Sequence, residues 1–175
     1  MDNLARLIIR AKQGDKSAFS EIYNLFYLRL FRYCQFNVGK RETAQDLCQD
    51  TFLKAWQHLP SFSTQKGGSF QAFLFKIARN LIIDWSRKKK TVPLGDQEIE
   101  SEQSMADSLE SQETTKKVKS AILKLKEKER QIIILRYFEE LTVREVAKIV
   151  GLREGALRVR THRILKKLKE ILTEL

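Results

Sequence analysis

Arg153, Arg158, Arg160, Arg163, Lys166, Lys167 and Lys169 lie in the stretch LTVREVAKIVGLREGALRVRTHRILKKLKE, with His162 among them. Cations at this density hold phosphates by charge, and an arginine can also grip the edge of a guanine through two parallel hydrogen bonds. Little elsewhere in the chain suits bond-making chemistry. His58 and His162 are isolated, and neither a glycine-rich phosphate loop nor a nucleophile beside a base is evident. Cys34 and Cys48 stand fourteen residues apart without a CxxC pairing or nearby histidines, so they read as reduced, buried, small apolar residues. The expectation is a protein with no catalytic residue, no metal site and no cofactor.

The elements that must carry the cations follow from the same stretch. Thr142 is placed to cap a helix and Glu145, three residues on, to reach back to its N–H, a reciprocal capping box. Val146, Ala147 and Val150 supply an apolar pattern; Ala147 is small enough for a second helix to approach, and Gly151 supplies the positive φ of a tight turn. The second helix keeps Leu157, Ile164, Leu168 and Ile171 inward. Residues 142–170 thus read as a helix-turn-helix. The first part of its second helix enters the major groove in such motifs, which makes Glu154, Arg158 and His162 candidates for reading bases. Arg160, Arg163, Lys166 and Lys167 suit phosphates, and Arg153 joins them on the outward side. The plain alternative is a solvated basic face on an ordinary helical hairpin. The coincidence of capping box, alanine, glycine and basic second helix favours the DNA-binding reading.

Upstream, seven glycines, two prolines and long stretches with a period near 3.6 point to an almost wholly helical chain. Leu4, Leu7, Ile8 and Ala11 make a first stripe that Gly14 ends, and Asp15 can cap the next helix. That helix is aromatic, through Phe19, Ile22, Tyr23, Phe26, Leu30, Tyr33 and Cys34, until Gly39. Residues 41–58 give a third, with Ala44, Leu47, Cys48, Thr51, Phe52, Ala55 and Trp56 toward one side and Glu42, Gln45, Asp46, Gln49, Asp50 and Lys54 on the other. After a loop over residues 61–69, a fourth helix passes through Phe70, Leu74, Ile77 and Leu81, expected in the core, with Phe73, Phe75 and Trp85 undecided. Helical periodicity resumes at Thr114 and continues through Val118, Ile122, Leu125, Ile132, Ile133, Leu135 and Phe138.

Charge divides the chain. Residues 1–90 carry 16 Lys and Arg against 7 Asp and Glu, residues 91–115 none against 7, and residues 116–175 17 against 8. Two blocks of net +9 flanking one of net −7 read as two domains that suit a polyanion. Residues 91–113 have few large apolar groups with which to offset the entropy of ordering, and are expected to be a flexible acidic linker. The fold expected is therefore all-α, with an N-terminal helical bundle over 1–90 and a C-terminal helix-turn-helix bundle over 114–175. An early acid and a short apolar stretch in MDNLARLIIRAKQGD give no signal peptide or membrane span, and the expected location is the cytoplasm.

AQDLCQDTFLKAWQHLPSF, then FQAFLFKIARNLIIDWSRKKK, then the helix-turn-helix, resemble in that order a bacterial RNA polymerase sigma factor of the sigma-70 family, ECF group. The resemblance covers nearly the whole chain outside the acidic segment. It implies that residues 1–90 are a region 2 that binds core RNA polymerase and engages the −10 element as separated strands, and that residues 114–175 are a region 4 that reads the −35 element. The surface docking on the polymerase β′ clamp helices would comprise Asp46, Gln49, Asp50, Leu53, Lys54 and Trp56; for Trp56, core packing is an equal reading. The −10 element would meet Phe62, Lys76, Arg79, Asn80, Arg87 and Lys88, with Gly67 and Gly68 shaping a pocket, since an extracted base needs stacking as well as charge. Region 4 would also pack on the β flap, and an anti-sigma protein is an implied partner. Val159 and Thr161 depart from the small polar and aliphatic residues often found at those positions. The competing function is a helix-turn-helix regulator that binds an operator without joining polymerase. A helical IARNLIIDW segment, where a receiver domain would alternate strands and helices, weighs against it.

Overall fold

A computed structural model describes residues 2–63, 69–91 and 109–174. Among them the secondary structure is helical throughout, in two compact units, residues 1–99 and 100–175.

In the first unit, α1 (Asp2–Lys12) ends before Gly14, which takes a φ of 91°. Asp15 then caps α2 (Lys16–Val38): its carboxylate accepts from the amides of Ser17 at 2.9 Å and Ala18 at 3.1 Å and pairs with Arg10 at 2.7 Å. The Ser17 hydroxyl and Ala18 amide, then Arg10, hold this carboxyl well below the usual range. Gly39, at a φ of 81°, turns the chain into α3 (Arg41–His58). A single 3-10 turn, Leu59–Ser61, follows, and later α4 (Phe70–Thr91). The core lies among α2, α3 and α4 and is built on Ile22, Leu30, Tyr33, Leu47, Phe52, Leu74, Phe75 and Ile82. Cys34 and Cys48 are free and wholly buried within it; burial pushes both thiols up, that of Cys48 to about 12. On α4 the buried line runs Phe70, Leu74, Phe75, Ala78 and Ile82, whereas Ile77 and Leu81, expected in the core, are half-buried. Two small alanines, Ala72 and Ala78, share the inward face with Phe70, Leu74, Phe75 and Ile82, a pattern too weak to fix rotation from sequence.

In the second unit, α5 (Leu109–Leu123) begins five residues before Thr114, where periodicity places it, because the sequence from Glu110 to Glu113 is polar and carries no apolar signal. The rest of the expected linker, 92–108, lies outside the described residues. Arg130 of α6 (Glu127–Ile133) donates to the carbonyls of Leu123 and Leu125, both at 3.2 Å, satisfying acceptors that the end of α5 leaves open. α6 widens into one π turn, Ile134–Phe138. The extra residue shifts the helical register, so Ile134 is buried while Phe138, expected inward, is exposed. α7 (Val143–Val150), Gly151 at a φ of 71° and α8 (Glu154–Thr173) complete the unit.

Candidate nucleic-acid interface

The helix-turn-helix forms through the interactions its sequence implies. Thr142 Oγ1 accepts from the Glu145 amide at 3.2 Å, and the Glu145 carboxylate accepts from the Thr142 amide at 2.9 Å. Ala147 and Val146 are buried against α8, and the Leu152 amide closes the turn on the Ala147 carbonyl at 2.9 Å. The rotation of α8 is fixed by its inward line: Leu157, Ile164 and Leu168 are buried, and Thr161 and Ile171 between and beyond them are half-buried. These positions repeat every three or four residues and share one face. Thr161, polar but inward, therefore does not disturb the register.

Outward, Arg153, Glu154, Arg158, Arg160, His162, Arg163 and Lys166 are all exposed. Arg158 lies 3.9 Å from Glu154 one turn earlier, an exposed pair of little energetic weight. Lys167 is different. It is half-buried and its ammonium lies 2.9 Å from Glu129 of α6, so it ties the second helix to the bundle. Burial pushes the Glu129 carboxyl up, but the hydrogen bonds from Lys167 and the Lys126 amide outweigh it and leave the group below its ordinary value.

On α4, Lys76, Arg79, Asn80 and Arg87 fall on one side at spacings of three, four and seven, and Lys88 follows; all are exposed except half-buried Arg79. Phe62 does not join them. Its side chain is buried, its ring lies 5.6 Å from Phe70 and 4.9 Å from Phe73, and its carbonyl accepts from Lys12 Nζ at 2.7 Å. Three aromatic rings are packed together there, and residues 64–68, Gly67 and Gly68 among them, lie outside the described residues. Trp85 is half-buried, with the Lys89 ammonium 5.3 Å over its ring.

On α3, Asp46, Gln49, Asp50, Leu53 and Lys54 are exposed and contiguous, and Leu53 stands out with 56 % of its surface open. Trp56 sits at the margin, half-buried, its ring 4.9 Å from Phe19 in an edge contact. It is both a core and a boundary residue.

Comparisons with known proteins find two family modules along the chain. Residues 22–92 match Sigma-70 region 2 and residues 115–168 match Sigma-70, region 4. The RNA polymerase sigma factor YlaC of Bacillus subtilis is 30% identical over 167 residues, covering 91% of this chain and 94% of that one. The chain belongs to the sigma-70 family. Within it the ECF group is indicated by the ECF RNA polymerase sigma factor SigW of Bacillus subtilis, 29% identical over 98% of both chains. Among solved structures, the sigma factor RpoE of Bartonella quintana, in complex with the anti-sigma factor NepR, matches with a TM-score of 0.70 at 27% identity over 89% of this chain and 96% of that one. CnrH in complex with the cytosolic domain of CnrY shares the fold, with a TM-score of 0.74 at 24% identity over 99% of both chains.

The sigma factor thus directs transcription, and α2 to α4 and α5 to α8 are its two modules. Three features of it escaped the sequence reading. Tyr137 and Phe138 are 49% and 52% exposed, an aromatic pair turned outward by the π turn, for which the sequence carries no signal. Tyr23, Tyr27 and Phe31 stack along α2 at 5.1 and 6.0 Å, with the Arg41 guanidinium 5.8 Å over Phe31; of the three, only Tyr23 had been read, as part of the apolar stripe. Val159 is exposed in the centre of the cationic face of α8. Among the described residues no helix is long and apolar enough to cross a membrane.

Proposed function

We propose that this sigma factor binds core RNA polymerase through the outward side of α3 and carries it to promoters whose −10 and −35 elements meet α4 and α8. The observation that carries the reading is the pairing, in one chain, of a polar α3 face bearing open Leu53 with two separate cationic helix faces. Asp46, Gln49, Asp50, Leu53 and Lys54, with the rim of Trp56, form the β′-clamp surface: the carboxylates steer a basic partner helix, and Leu53 supplies the apolar contact that exposed ion pairs alone do not. Lys76, Arg79, Asn80, Arg87 and Lys88 follow the separated strand at −10. Arg153, Glu154, Arg158, Arg160, His162, Arg163 and Lys166 meet the −35 duplex, while Lys167 braces α8 through Glu129. Residues 1–90 and 114–175 act as the two functional domains, joined by 91–113, and open Tyr137 and Phe138 suit the β flap. The protein performs no catalysis of its own and acts in the cytoplasm, where polymerase is. Because RpoE and CnrH are seen with partner proteins, an anti-sigma protein covering the α3 surface is the partner that would hold this factor inactive.

Transcription in vitro with purified core polymerase and a genomic promoter library tests this. Addition of the chain is expected to yield transcripts from a defined subset of promoters, and Leu53→Asp to abolish them by preventing assembly with core. Absence of initiation from every promoter, with specific duplex binding by the chain alone, would instead support an operator-binding regulator.

A further inference from the structure

With Leu157, Thr161, Ile164, Leu168 and Ile171 inward, the line opposite them on α8 runs through Gly155, Val159, His162 and Lys166. Val159 is out of character there. It is 54 % exposed, between Arg158 and Arg160 in sequence and one turn from Arg163, so it adds nothing to the core. A β-branched residue also favours helix less than most alternatives. Gly155, one turn earlier, is equally unneeded by the fold. Its φ lies outside the left-handed region, and a Cβ added to it would meet nothing within 4 Å. Nothing within the described fold calls for glycine in the first turn of α8, and the missing Cβ leaves room for another surface to approach closely.

Together the two residues make a bare apolar strip one turn long, bordered by cations, at the end of α8 that enters the groove. The border selects a polyanion and the strip selects an apolar group upon it. In the major groove of duplex DNA only thymine presents one, its C5-methyl; every other base edge would surrender water to Val159 without compensation. We infer that Val159 reads a thymine methyl in the −35 element and that Gly155 lets the base edge come close enough to do so. This rests on α8 being the −35 reader.

The test uses holoenzyme reconstituted from this chain and core polymerase, on a promoter it initiates from, with each −35 thymine of either strand replaced singly by deoxyuridine. At one position the wild type is expected to lose about fourfold in promoter affinity, the worth of one buried methyl group. Val159→Ser should initiate but be indifferent to that replacement, and Gly155→Ala should weaken promoter binding without lowering the melting temperature. Initiation with uridine tolerated at every position overturns the inference and leaves the sigma reading standing; no initiation at all overturns the latter. If uridine is tolerated and Val159→Ser instead weakens assembly with core, the strip faces protein and the inference is wrong.

Discussion

Glu140 is the non-glycine residue that the described backbone holds in the left-handed region, at a φ of 54°. Side chains resist that region because Cβ crowds the following carbonyl, at roughly 1–2 kcal/mol. It follows the π turn and the buried Glu139, and is itself exposed. Glu140→Gly is expected to stabilise the second unit by roughly 0.5–1 kcal/mol after glycine's greater unfolded-state entropy is subtracted. Differential scanning calorimetry should show a melting temperature a few degrees higher; a decrease would mean that the Glu140 side chain contributes more than its backbone costs. Single residues of this kind are where sequence reading fell short. The signals for Thr142, Glu145 and Gly151 are local, and each sits where its chemistry put it. Phe62 was harder to read, because a phenylalanine beside a loop has the same letter whether its ring is open or, as here, packed on Phe70 and Phe73.

At the scale of elements, helix ends were more legible than helix rotation. Asp15 and Gly39 delimit α2, and Thr142 and Gly151 delimit α7, by requirements confined to one or two residues. Rotation depends on sums over many weak positions, which is why α4 turned toward Phe75 and Ile82, and why the π turn exposed Phe138. The caps also make stability pH-dependent. Asp15 binds a proton less readily when folded than when unfolded, so acid favours the unfolded chain; its contribution is full above about pH 5, begins to fall as pH enters the usual carboxylate range, and goes on falling until the folded group is itself protonated, well below that range. Glu129, lowered in the second unit, works in the same direction. Asp15→Asn keeps a capping oxygen but removes the titration. Between pH 5 and pH 3 the wild type should therefore lose more thermal stability than this variant, followed by circular dichroism. Parallel curves would show that the Asp15 charge contributes nothing to stability.

For the molecule as a whole, the family was legible in the order of its motifs, while the two positive blocks suited a polyanion without naming one. What charge cannot convey is which cations are spent internally. Lys167 looks like its neighbours in the sequence, yet it closes a bond to a residue 38 positions away. The two thiols sealed between α2 and α3 give the N-terminal unit a clock. A sulfur with almost no thiolate at neutral pH and no solvent contact reacts only while its helices are parted, so Cys34 and Cys48 record opening events rather than surface collisions. On the proposed docking of core polymerase on α3, labelling by a thiol-specific reagent should slow when core polymerase is added. A rate unchanged by assembly would mean that the helices part as often in the complex as out of it.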